Sequence, residues 1–227
     1  MAIVVAFISQ KGGVGKSTLA RALAAVAAHA GIAVGVADLD PRQHTVLRWQ
    51  RTRVEGGHTP AVAVRACASL DEALAWQDEL DLLIIDTPAG VHRGTLDIAR
   101  HSHLVVQPSG ASLDDLHPAV LLFHELVAAG VPKSRLVMAL MRTMTKTEED
   151  AARRYIAGAS YATLPGSIPE RAAFREAQNI GQALNETDEQ SLNDRVDALM
   201  QALLDKVASE VAALSEWQAK NDKEGAA

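Results

Sequence analysis

A single cysteine, Cys67, among 227 residues excludes an internal disulfide and any metal cluster held by several thiolates of one chain. A buried or bystander thiol is the expectation for it. Aromatic residues make up only 4% of the sequence, so aliphatic side chains must fill the core. Alanine-rich helices packed on Val/Ile/Leu strands suit that balance. No apolar run approaches the roughly 18 residues of a membrane span. The first residues lead directly into an apolar strand, without the basic segment and long apolar stretch of a secretion signal. The expected location is the cytoplasm. Internal repeats and low-complexity linkers are also missing, which leaves one α/β domain over residues 1–217 and a frayed tail over 218–227.

Excess basic charge is missing as well. The formal net charge is −6, which by itself argues against wholesale nucleic-acid binding. The surplus sits at one end: from Glu186 onward there are ten acidic and four basic residues, and the preceding 185 are balanced at eighteen of each. A local basic face therefore stays compatible with the composition. Of the eight histidines, only His101 and His103 lie close together; they flank a strand start and read as structural.

What the sequence does contain is a regular alternation of strands and helices. Ala2–Ile8 is a continuous apolar run, the pattern of a parallel strand covered on both faces. A glycine-rich turn follows, then a helix over Ser17–Ala30 closed by Gly31. Further strands are predicted at Ile32–Asp38, Ala61–Ala66, Leu82–Asp86, His103–Pro108, Arg135–Met141 and Tyr161–Leu164. Helices are predicted over 45–53, 71–79 with Ser69 as its cap, 113–129, 148–156, 171–178 and 189–217. The alternation specifies a doubly wound, mainly parallel sheet in three α/β/α layers. Ligands of such sheets bind beyond the carboxyl ends of the strands. Ser9, Asp38 and Asp86 follow or end three of these strands and should converge there.

The run SQKGGVGKST, Ser9–Thr18, lies between a strand and a helix, the context a phosphate-binding P-loop requires. Gly12, Gly13 and Gly15, with Val14 between them, let successive backbone N–H groups turn inward around phosphate oxygens. The helix beginning near Lys16 adds its N-terminal dipole. Lys16 is placed for the β- and γ-phosphates, the Ser17 hydroxyl for Mg²⁺ and Thr18 for the α-phosphate. Asp86 ends the buried strand LLIID, where a carboxylate is costly unless a metal compensates it, here through water. The following Thr87–Gly90 is expected to sense the γ-phosphate. Asp38 and Asp40, in DLDP, can hold a magnesium water or orient an attacking one; a plain strand-end turn is the other reading of Asp38.

Gln10 stands where the strict P-loop pattern has glycine, and Lys11 precedes the glycine pair. KGGVGKS is the deviant Walker A form, and with it the chain resembles the ParA/MinD family of P-loop ATPases. DPRQHTVLRW and SIPERAAFREAQNIGQAL extend the resemblance to the small ParA-type ATPases that lack an N-terminal helix-turn-helix. The resemblance implies an ATP-bridged sandwich homodimer in which Lys11 reaches the partner's phosphates. It also implies that Asp40 positions the hydrolytic water, with Asp38 near the metal. Met141, Arg142 and Pro169 become base-contact candidates.

Proteins of that kind bind DNA without sequence preference as ATP dimers and release it when a ParB-like or cargo adaptor protein stimulates hydrolysis. The resemblance thus implies a nucleoid-associated protein that segregates DNA or positions a protein assembly. Arg142, Lys146, Arg153, Arg154, Arg171 and Arg175 are the DNA-contact candidates, with Arg42, Arg48, Arg51 and Arg53 as an alternative patch or partner surface. A MinD-like membrane ATPase is the first rival, but it needs a basic amphipathic C-terminal helix, and this one is acidic on balance. A metabolic ATP-dependent enzyme is the second. An iron-protein relative conflicts with the single cysteine.

Overall fold

The computed structural model describes residues 2–90 and 93–225, without the side chains of residues 93 and 217–225. Among the described residues eight strands form the sheet: β1 (Ile3–Phe7), β2 (Val34–Asp38), β3 (Ala63–Ala66), β4 (Leu82–Asp86), β5 (Leu104–Ser109), β6 (Leu136–Thr143), β7 (Ala162–Thr163) and β8 (Ile168–Pro169). Their order is β3-β2-β4-β1-β5-β6-β7, with β8 paired to β6, and every described pairing is parallel. Among the described residues the α-helices are α1 (Lys16–His29), α2 (Thr45–Glu55), α3 (Leu70–Leu74), α4 (Arg93–His101), α5 (Leu113–Ala128), α6 (Lys146–Gly158), α7 (Ala172–Asn179) and α8 (Gln190–Gly225).

β1 explains why its sequence shows no polar alternation. Val5 and Phe7 enter the core shared with α1, α2, α7 and α8. Val4, Ala6 and Ile8 enter the opposite core, built with α3, α4, α5 and α6. Both faces are buried, so both parities must be apolar. The alanines Ala20, Ala22, Ala24, Ala25 and Ala27 of α1 are fully buried; their small side chains let the helix lie close to the sheet. Gly35 in β2 serves a similar purpose, since a Cβ there would stand 2.5 Å from the Trp76 ring.

Pro108 ends a predicted strand yet lies inside β5, which is flanked by β1 and β6. Val106 points its carbonyl to Ile8 N–H of the β1 side at 3.1 Å. Pro108, two residues on, faces the same side, where β1 has already turned away. Its missing N–H therefore breaks no ladder bond.

Several boundaries differ from expectation. Helix α4 was not foreseen, and the helix expected over 71–79 is the short α3 followed by a 3₁₀ turn at Gln77–Glu79. The strand expected at 161–164 shrinks to β7, and β8 adds a second short strand. The last helix continues in its backbone to Gly225 rather than stopping at 217.

Arg53 corrects the surface-patch reading. It is fully buried, and its guanidinium donates to Glu186 Oε2 at 2.6 Å and Oε1 at 2.7 Å, to the Gly181 carbonyl at 3.1 Å and to the Pro60 carbonyl at 3.1 Å. Gly181 has φ +85, and a Cβ there would meet the Arg53 backbone at 2.4 Å. Burial alone would raise the Glu186 pKa, but the Arg53 bonds and the Ala183 N–H outweigh it and hold the carboxyl below its usual range.

Replacing Glu186 by Gln strands a buried guanidinium and should cost about 3 kcal/mol in urea unfolding near pH 7. Because the folded pKa is depressed, the ionised pair stabilises above the ordinary glutamate range and fades as pH falls through the lowered value. The gap between wild type and variant should narrow on acidification.

Candidate functional site

The topology brings the predicted strand ends together. Asp38 pairs in register with Asp86 across β2 and β4, and Asp86 with Phe7 of β1. The chain leaves β1 through the glycine-rich loop and enters α1 at Lys16. Gly13 and Gly15 take φ of +72 and +110, the left-handed region that glycine alone enters without strain. At Gly15 a Cβ would also stand 3.0 Å from Met141 Cε. A cavity of about 200 Å³ opens over this loop, and its wall joins Gly12, Lys16, Ser17 and Thr18 to Asp40 and Thr87.

Two buried charges belong to this region, Lys16 in the wall itself and Asp86, which is bonded to the wall residue Ser17. Lys16 Nζ donates to the Lys11 carbonyl at 3.4 Å and has no ion-pair partner among the described residues. Burial lowers its pKa, with Asp86 and Asp40 opposing. Asp86 is 1% exposed. Its Oδ2 accepts from the Ser17 hydroxyl at 2.6 Å, and its Oδ1 is buried with no partner. Burial pushes the carboxyl up to about 7, Asp38 adds to the rise, and Ser17, Lys16 and Arg21 oppose it. An orphaned carboxylate oxygen beside a serine hydroxyl fits a hydrated divalent cation, and a lone buried ammonium fits phosphate.

Asp38 and Asp40 are held in different ways. Asp38 Oδ2 accepts from Val46 N–H at 3.0 Å and Leu47 N–H at 3.1 Å, and Oδ1 from Asp40 N–H at 3.1 Å. Its Oδ2 is thus engaged at the N-terminus of α2, and its Oδ1 carries one protein hydrogen bond. Asp40 accepts from Arg42 N–H at 3.0 Å and Gln43 N–H at 3.1 Å through Oδ1 alone. Its second oxygen has no protein hydrogen bond among the described residues and remains available at the cavity wall.

Lys11 is turned to the flank. Its ammonium donates to Asp115 Oδ1 at 2.9 Å, and Ser112 donates to Asp115 Oδ2 at 3.0 Å. Gly110 makes this approach possible, since a Cβ there would be 2.2 Å from Asp115 Oδ2. Burial would raise the Asp115 pKa, but Lys11 and Ser112 hold it below the usual range. Leu113, between Ser112 and Asp114, is 64% exposed.

A second cavity, of about 310 Å³, lies on the other side of Gly13, Val14 and Gly15 and includes Met141, Arg142 and Pro169. The base-contact candidates are thus adjacent to the loop. Sequence reasoning missed Ile168, Phe174 and Gln178 in the same wall; the apolar Ile168 beside Pro169 and the amphipathic face of α7 were the available signals. Ser167 bonds Thr143 at 3.0 Å and donates to Glu149 at 2.9 Å. Arg153 donates to Glu149 at 3.0 Å and to the Leu164 carbonyl at 2.9 Å.

The six basic candidates therefore separate. Arg153 is half-buried and tied to Glu149 and to the carbonyls of Leu164 and Gly166 in the loop before β8. Lys146 is exposed but tied to Asp150 at 2.9 Å and Glu149 at 3.8 Å. Arg142, Arg171 and Arg175 line the cavity together, with Arg175 paired to Glu170. Arg154 is exposed on α6. Cys67 is buried, as expected, and His103 accepts from Val4 N–H at 3.0 Å, a structural bond. Among the described residues no group of three or more His, Cys, Asp or Glu could hold a metal, and no helix is long and apolar enough to cross a membrane.

The family model described as CobQ/CobB/MinD/ParA nucleotide binding domain matches residues 5–185. The cytosolic Fe-S cluster assembly factor NUBP2 of Bos taurus is 32% identical over 155 residues, a match covering 50% of this chain and 57% of that protein. The chain thus spans a little over half the length of that relative. The cell division ATPase MinD of Pyrococcus furiosus superposes with a TM-score of 0.72 at 18% identity, covering 90% of this chain and 99% of that one. Apo McdA of Cyanothece superposes at 0.70 with 17% identity, covering 89% and 100%.

Asp86 sets a pH test of the site. With its folded pKa raised to about 7, its contribution to stability is full below the ordinary carboxylate value and is lost as pH rises through 7. Asp86→Asn has no charge to bury. In metal- and nucleotide-free urea titrations the variant should therefore gain on wild type between pH 5 and pH 8; a gap independent of pH would contradict the orphaned-carboxylate assignment.

Proposed function

Because the chain belongs to the CobQ/CobB/MinD/ParA nucleotide-binding family, we propose that it is an ATP-driven positioning switch. Two copies close around nucleotide, hold DNA without sequence preference while closed, and separate when a ParB-like or cargo adaptor protein stimulates hydrolysis. The chain itself is a P-loop ATPase that uses ATP and Mg²⁺. Ser17 and Asp86 are the residues that would hold Mg²⁺, which neutralises charge on phosphate oxygens. Lys16 and the loop N–H groups bind the phosphates, and the unbonded oxygen of Asp40 orients water at the cavity wall. Met141, Ile168, Pro169 and Phe174 receive the base.

The orientation of Lys11 carries this reading. Its ammonium rests against Asp115 on the flank, outside the wall of its own phosphate cavity, where a second copy can receive it. A half-exposed pair of this kind is worth no more than about 1 kcal/mol. A charge-assisted contact to phosphate is worth roughly 1.5–3 kcal/mol, and closing the dimer makes two. Their net gain covers much of the roughly 5.5 kcal/mol needed to move a population from 1:99 to 99:1. ATP then selects the closed form because the γ-phosphate is part of the contact.

Support for DNA as the surface held comes from Arg142, Arg171 and Arg175 on one cleft, with Arg154 exposed on α6. The NUBP2 relatives are named for Fe-S cluster assembly, but this chain offers one buried cysteine, whose thiol burial pushes its pKa up. The likeness to them covers half of the chain, and the nucleotide site lies within what the family model matches. We therefore place the cargo among DNA and protein assemblies rather than clusters.

Lys11→Ala should bind nucleotide yet stay a single subunit with ATP in light scattering, whereas Asp40→Ala should dimerise and hydrolyse at least tenfold more slowly. A wild-type chain that remains a single subunit when loaded with ATP and blocked in hydrolysis would overturn the switch.

Retention on DNA should require ATP, fail with ADP and weaken steeply with salt. Arg171→Glu with Arg175→Glu should abolish it; because both line the base cavity, nucleotide affinity is measured alongside. Retention surviving in that double variant would move the DNA face elsewhere.

A further inference from the structure

We propose that the cleft between α1, α2 and α7 is a second anion site, separate from the P-loop cradle, and that it takes the terminal phosphate of a small molecule. The cleft has a volume of about 430 Å³, and Arg21, Arg48 and Arg175 line it with Thr45, Trp49 and Gln178 and no carboxylate. That volume lies in the range of small-molecule sites.

Arg21 makes the case. It is 8% exposed, yet it has no ion pair among the described residues. Nη1 donates to Gln178 Oε1 at 3.1 Å and Nη2 to the Thr45 carbonyl at 2.7 Å, both neutral acceptors. Nε is buried with no partner. The fold provides a carboxylate for its other enclosed arginine, Arg53, which has Glu186; half-buried Arg153 likewise has Glu149. Arg21 has none in bonding reach, and Asp86 and Asp38 act on it only through space. A guanidinium left this way needs an anion to offset its desolvation. Burial depresses its pKa to about 10, and the neighbouring Arg48 pushes the same way.

The shape selects the anion. Arg21 sits at the floor and Arg48 and Arg175 are exposed at the rim. Trp49 does not offer a stacking face: Arg21 and Arg53 lie over its ring at 5.7 and 5.4 Å, and its Nε1–H donates to the Gln182 carbonyl at 2.9 Å. A terminal phosphate, with close to two charges and three free oxygens, can descend to the floor and meet a guanidinium fork. A backbone phosphodiester has one charge and a sugar on each side. Arg175 and Gln178 also line the base cavity, and Thr45 also lines the phosphate cavity. Occupancy would therefore be coupled to nucleotide binding.

The test fills the P-loop first, with saturating Mg²⁺ and a non-hydrolysable ATP analogue, and then titrates inorganic phosphate, followed by ³¹P line broadening. Arg48→Ala lies in the cleft but outside the nucleotide site; Arg51→Ala removes an exposed charge from the same helix outside the cleft. Phosphate should bind the filled wild type, weaken about tenfold or more in Arg48→Ala, as expected for one lost charge-assisted contact, and be unaffected by Arg51→Ala. No binding to the filled wild type, or equal weakening in both variants, overturns the site. A short DNA duplex is titrated in parallel: Arg48-dependent binding of duplex without binding of phosphate would make the cleft a seat for backbone phosphate and also overturn the proposal.

Discussion

The constraint on which the site depends is the desolvation of Lys16 and Asp86. Both are enclosed at the carboxyl end of the sheet, and neither is neutralised by a direct ion pair. A fold selected for stability alone would join them or replace them with apolar residues, since a buried charge without a partner costs several kcal/mol. Holding them apart leaves an ammonium and a carboxylate oxygen that only an added anion and cation can satisfy together. A triphosphate with its divalent cation does that in one step. The apolar two-faced core around β1 and β4 is what makes the separation affordable.

The same logic sorts the arginines. Arg53 is enclosed and Arg153 half-buried, and each meets a carboxylate and two carbonyls. They tie α2 to the turn before α8 and α6 to the loop before β8. These are bracing contacts between separate elements of the fold. Arg21 is enclosed without such a carboxylate. Charge that is buried and paired holds structure in this molecule, and charge that is buried and unpaired marks a place for a ligand.

Much of this was legible in the sequence. Two-faced burial leaves a direct mark, an unbroken apolar run, so Ala2–Ile8 and Leu82–Asp86 could be placed almost to the residue. The glycines and Lys16-Ser17-Thr18 declare the loop because phosphate binding demands those residue types in that spacing. What was not legible depends on long-range partners. Arg53 and Arg154 look alike in sequence, and only Glu186, 133 positions away, decides that Arg53 is internal. Nothing local reveals that the Val46 and Leu47 N–H groups bond the carboxylate of Asp38. Helix α4 was missed because its apolar face is short, with Leu96, Ile98 and Ala99 packed on the sheet. β8 was missed because two residues carry no periodicity.

Lys11 shows how a surface contact can matter through its weakness. Its bond to Asp115 is well formed, held from behind by Ser112 and given room by Gly110. At 41% exposure of the lysine the pair is screened, and it contributes little to folding. A strong pair would lock the lysine in place and tax any transfer to phosphate. No pair at all would leave a flexible ammonium free to fold back on its own ligand. A weak, oriented pair keeps Lys11 out of its own cavity at small cost and yields it to a stronger acceptor. On the proposed reading, that balance is what makes the closed form depend on nucleotide rather than on protein concentration alone.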